Sequence, residues 1–162
     1  MKKREDAEKK KEKLGLARFS SVIIALITAA GIAVYVCLPS LVGFYVDHAH
    51  IEGMRVSSKE AIMALLYTAG VPVLALLVLS FLMTLNISRG KAFVRVNVVY
   101  LNLISLLAVF IAAAFAVGYF FMNSVFPIII AVMFLLLAVL TKVFADLFKT
   151  AIVYKQENEL TI

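Results

Sequence analysis

The chain has 162 residues, is 64% hydrophobic and carries a formal net charge of +6. A soluble domain is about half apolar, and here the excess is gathered into four long runs. That excludes an ordinary soluble enzyme and points to helices in lipid. Cys37, the only cysteine, lies inside the first run and reads as a small apolar filler. There is no tryptophan, so tyrosine and phenylalanine must supply any aromatic belt.

Residues 1–18 form a basic tail with eight lysines and arginines through Arg18. The apolar run behind it is too long for the core of a signal peptide, so an uncleaved first membrane helix is expected. Glutamates dilute the tail too much for a nucleic-acid arm, and no helix-turn-helix pattern, zinc-finger spacing or RNA-binding signature occurs.

The first span is expected over 19–44, with Pro39 kinking or ending it. Ala25, Ala29 and Ala33 recur at every fourth position, a spacing that permits close helix approach in lipid. The second span is expected over 61–85. Ser57-Ser-Lys-Glu60 before it fits a capping box, and Pro72 near its middle removes one helical hydrogen bond. The third span is expected over 94–120. It carries Asn97, Asn102 and Ser105 near its start, then a column of Ala108, Ala112 and Ala116 and a second one of Ala114 and Gly118. Asn102 lies deep enough to need an interhelical hydrogen bond. The fourth span is expected over 126–152, with Pro127 at the first helical position. Its last turns are amphipathic: Lys142, Asp146, Lys149 and Lys155 punctuate Val143, Phe144, Leu147, Phe148, Ala151 and Ile152. Lys142 and Asp146 are spaced to pair, as are Asp146 and Lys149. Residues 153–162 form a C-terminal segment outside the 19–152 membrane domain.

Charge sets the orientation. The tail is basic, and the second gap carries Arg89, Lys91 and Arg95 with no acid. In the first gap Arg55 and Lys59 are offset by Asp47, Glu52 and Glu60, and the third gap, around Asn123 and Ser124, is uncharged. The tail, the second gap and both termini are expected in the cytoplasm. The fold class expected is an all-α antiparallel four-helix transmembrane bundle.

His48 and His50 alternate with Asp47 and Glu52, which are residue types that ligate zinc. Two histidines on a short membrane-facing loop fit a solvated loop better, and we assign no metal and no cofactor. The hairpin Ile87–Phe93 turns at Gly90, and its Arg89, Lys91 and Arg95 attract anionic headgroups. A phosphate-binding enzyme loop needs a longer glycine pattern between a strand and a helix. The spans hold no histidine and no paired carboxylates for acid–base work, so no enzyme is expected.

Two stretches carry a resemblance. They are Arg89-Gly-Lys-Ala-Phe93 leading to Asn97 and Leu101, and Ala145-Asp-Leu-Phe148 through Glu157-Asn-Glu-Leu-Thr-Ile162. With the four-span layout, they resemble the bacterial membrane family catalogued as domain of unknown function 2975, over nearly the whole chain after the tail. Family members often have proline before the loop phenylalanine where this chain has Ala92, so a fixed hairpin geometry is not carried over. The resemblance implies no reaction. It implies a membrane partner for a small helix-turn-helix regulator, because such regulators neighbour the family's genes. The terminal Glu157–Ile162 either docks on the chain's own Arg89, Lys91 and Arg95 or is offered to a cytoplasmic partner.

The function expected is a regulatory or signalling protein of the bacterial cell membrane. It binds a cytoplasmic partner through Arg89, Lys91, Phe93, Arg95, Asp146, Glu157, Asn158, Leu160 and Ile162. One version sequesters a transcription regulator; a related one gives immunity against a membrane-active peptide through the outer loops. The alternative is a small oligomeric transporter or channel whose path is marked by Pro72, Asn102 and Asp146. The partners expected are anionic lipid headgroups, a cytoplasmic regulator and a second copy of the chain, without direct nucleic-acid binding.

Overall fold

The chain folds into four helices: α1 (Lys2–His48), α2 (Lys59–Ser88), α3 (Arg95–Met122) and α4 (Phe126–Leu160). The computed structural model describes residues 2–48, 59–122 and 125–160. The apolar stretches are Phe19–Phe44, Ile62–Ser88, Arg95–Phe120 and Phe126–Asn158, each of 26 residues or more. At about 1.5 Å per residue, even the shortest covers the roughly 30 Å hydrocarbon core. Large apolar side chains point outward on every helix: Val36 is 71% exposed, Leu106 66% and Met133 63%. In water each would forfeit about 1.5–3 kcal/mol of burial; in lipid they are solvated. The protein is a multi-pass membrane protein.

Lipid offers the backbone no hydrogen bonds, so each span satisfies its own as a helix. The hydroxyls follow the same rule. Thr28 donates to the Ile24 carbonyl at 2.7 Å, Ser80 to Leu76 at 2.8 Å and Thr84 to Ser80 at 2.8 Å. Among the described residues, every buried side-chain nitrogen or oxygen has a partner.

Consecutive helices pack antiparallel. Tyr35 of α1 meets Tyr67 of α2 edge-on, with ring centroids 5.2 Å apart. Gly70 makes room for that ring, since a Cβ there would lie 2.6 Å from Tyr35 Cε2. The α3–α4 seam is the most extensive. Asn97, Leu101, Ile104, Ala108 and Ile111 are buried along α3, and Ala131, Ala138, Thr141, Ala145 and Ile152 along α4. The α3 positions recur at three and four residues and the α4 positions at three, four and seven, the period of a left-handed helix pair, and the alanines bring the backbones close. The backbones of α1 and α4 do not approach one another among the described residues. Between them lies an apolar cleft of about 470 Å³, lined by Tyr35, Leu38, Gly70, Phe115 and Phe134 among others.

The helix α1 runs through Pro39 to His48, so the proline does not end it; membrane helices tolerate such a proline because neighbouring groups take up the freed backbone carbonyl. The apolar stretch of α1 begins at Phe19, and residues 2–18 continue the same helix ahead of it. One expectation needs correction. The Ala25–Ala29–Ala33 column is not a packing face: Ala29 and Ala33 are exposed. Gly31 faces Leu74 and Leu77 of α2 instead, and residues two apart point about 200° away from each other on a helix. The capping serines Ser57 and Ser58 and the loop with His50 lie outside the described residues, as do the side chains of Asp47 and His48.

Candidate functional site

The α2–α3 hairpin is built by two devices. At the end of α2, Gly90 takes φ +76°, the left-handed conformation that glycine adopts without a Cβ penalty. Its N–H donates to Ile87 O and that of Lys91 to Asn86 O, both at 2.9 Å. This is the Schellman closure, which satisfies carbonyls that a helix end leaves open. The second device is Asn97, fully buried in the first turn of α3. Its Oδ1 accepts from Asn86 Nδ2 at 3.0 Å, and its Nδ2 donates to Lys91 O at 3.1 Å and Ala92 O at 2.7 Å. One amide thus ties the end of α2, the turn and the start of α3 together. The hairpin holds a defined geometry without a proline at Ala92, and it presents Arg89, Lys91 and Arg95 exposed.

α4 lies against this hairpin. Phe93 packs on Phe148 with ring centroids 5.6 Å apart. One turn and more toward the membrane centre, Lys142 Nζ donates to Asn102 Oδ1 at 2.9 Å and to Asp146 Oδ1 at 3.3 Å. Asn102 Nδ2 turns back to Val98 O at 2.9 Å, and Thr150 caps Asp146 O at 3.0 Å. Deeper still, Ser105 Oγ donates to Ala138 O at 2.8 Å. Asn102 lies 18 residues from the far end of its span at Phe120, about 27 Å along the axis. The Asn102–Lys142–Asp146 group therefore sits at the hairpin-side edge of the hydrocarbon core, where a lysine reaches the headgroups by extending its stem.

A family model described as "Protein of unknown function (DUF2975)" matches residues 9–162. The chain belongs to this family. No curated protein and no solved structure matches it. The two stretches that carry the likeness to DUF2975 are distant in sequence, and Phe93 and Phe148 bring them into contact.

The structure sorts the candidate residues of this DUF2975 chain into three places. Arg89, Lys91, Phe93 and Arg95 stand on the hairpin. Asp146 lies on the α3–α4 seam, bound to Lys142 rather than to Lys149. Glu157 and Asn158 are exposed on the last turns of α4, nine and ten residues beyond Phe148; at about 1.5 Å each that is roughly 13–15 Å further on. α4 stays helical to Leu160 and does not fold back onto the hairpin. The Leu160 side chain and Ile162 lie outside the described residues. Asn97 serves the hairpin itself and is buried away from any ligand.

The residues of the transport reading lie at two levels of the bundle. Asn102 and Asp146 meet through Lys142 on the exposed side of the seam. Pro72 is buried in α2. The antiparallel register that pairs Asn86 with Asn97 sets it level with Ile111, nine residues or about 13 Å from the level of Asn102. Asn86 escaped the sequence reading. Its signal is an amide in the last turn of an apolar run, facing another in the first turn of the next.

Proposed function

We propose that this DUF2975 protein is a non-enzymatic regulatory protein of the bacterial cell membrane. Its hairpin and both termini face the cytoplasm and hold a soluble regulator there. The observation that carries the reading is the Phe93–Phe148 contact, which joins the two likeness-bearing stretches into one surface. That surface carries Arg89, Lys91 and Arg95 on the hairpin and leads along α4 to Glu157 and Asn158. The excess of lysine and arginine in the tail and hairpin supports a cytoplasmic setting.

The reach of α4 supports a partner. Residues 149–160 continue the helix for about three turns past the hairpin contact, and beyond the buried Ile152 residues 153–158 are exposed. That exposed stretch offers a surface to a docked protein. The family's association with small helix-turn-helix regulators suggests the class, with the membrane protein keeping the regulator from its DNA.

Removing the residues after Lys155 tests this. The full chain, crosslinked in native membranes, is expected to capture the regulator, and the truncated chain to lose it. Undiminished capture by the truncated chain rejects the proposed surface.

A further inference from the structure

The α3–α4 seam carries a second stripe, distinct from the hairpin tip. The register that joins Asn102 to Lys142 and Phe93 to Phe148 sets Arg95 and Lys149 at nearly one level. Each lies seven residues, two helical turns, toward the hairpin end from Asn102 and Lys142 respectively, and so on the same face. Arg95, Asn102, Lys142, Asp146 and Lys149 are all exposed. Asp146 is matched by Lys142 at 3.3 Å. Arg95 and Lys149 have no acidic partner among the described residues, so the stripe keeps two uncompensated positive charges. In the other direction the same face turns apolar: Leu106, one turn beyond Asn102, is 66% exposed, and Val139, one turn before Lys142, is 56% exposed.

We propose that this seam is a binding site for one anionic phospholipid. The phosphate lies between Arg95 and Lys149, and an acyl chain follows Leu106 and Val139 into the core. Charge complementarity selects the headgroup. The change from cationic to apolar along one stripe, at the depth where a bilayer makes the same change, selects a lipid over a free phosphate or an acidic peptide. The site shares Arg95 with the proposed regulator surface, whose Arg89 and Lys91 stand nearer the hairpin tip.

The full-length chain in detergent, titrated with phosphatidylglycerol or phosphatidylcholine and followed by native mass spectrometry, tests this directly. Phosphatidylglycerol is expected to be retained preferentially. The R95Q/K149Q double variant weakens retention by roughly fivefold per charge removed, about 25-fold in all, whereas R95K/K149R preserves it. R89Q/K91Q weakens it less than R95Q/K149Q does, and an equal concentration of inorganic phosphate does not displace the lipid. D146N, which removes the one negative charge in the stripe, strengthens retention and so reads the site by a gain that a misfolded protein cannot mimic. Equal retention of phosphatidylcholine, no loss in R95Q/K149Q, the same loss in R89Q/K91Q, displacement by phosphate, or no gain in D146N would each overturn the assignment.

Discussion

A buried amide in an apolar helix is tolerable only when its donors and acceptor are used, and Asn97 spends its own on Asn86, Lys91 and Ala92. Replacing it with leucine leaves the Asn86 amide and two turn carbonyls to find other partners, at about 1–3 kcal/mol for each group left buried and unpaired. Asn97→Leu is therefore expected to lower the thermal midpoint in detergent. It should also open the hairpin to trypsin at Arg89 and Lys91, and unchanged cleavage there would argue against the amide as the clamp. Gly70 is a second position where one atom matters. The methyl of Gly70→Ala would sit 2.6 Å from the Tyr35 ring, and overpacking of this kind costs about 1–3 kcal/mol. Tyr35→Leu in the same chain is expected to restore most of the loss in a thermal melt.

Single helices show both what the sequence discloses and what it conceals. The apolar runs were legible because lipid-facing spans are hydrophobic all round, and their length follows from bilayer thickness. The α3 alanine column was legible too, and Ala108 and Ala112 are buried. The corresponding α1 column misled, because alanine is common in such runs and spacing alone does not say which face a neighbour takes; Gly31 decides it. Ala131, Ala138 and Ala145 on α4 recur every seventh residue, a regular signal lost among apolar neighbours. The hairpin glycine was legible from its turn chemistry, but the Asn86–Asn97 bond joins two amides across a turn, and only the register of α2 on α3 shows that they meet. Between α3 and α4, Ser105 donates to the Ala138 carbonyl. Interhelical bonds in membranes are worth about 0.6 kcal/mol on average, so Ser105→Ala should shift the unfolding midpoint in detergent only slightly. A large shift would mean that the hydroxyl does more than bridge the seam.

At the scale of the whole molecule, the polar chemistry of the described spans gathers at one end. The hairpin clamp, the Phe93–Phe148 contact, the Asn102–Lys142–Asp146 group and the extension of α4 all lie there, while the cleft between α1 and α4 is apolar. The regulator surface requires that end to face the cytoplasm, and the distribution of arginine and lysine is the reason to expect it. The decisive measurement is cysteine labelling in cells. In a Cys37→Ser background, single cysteines replace Asn123 or Lys91, and a membrane-impermeant thiol reagent is applied before and after the cells are broken. N123C is expected to be labelled in intact cells and K91C only after breakage; labelling of K91C in intact cells, with N123C protected, would overturn this orientation.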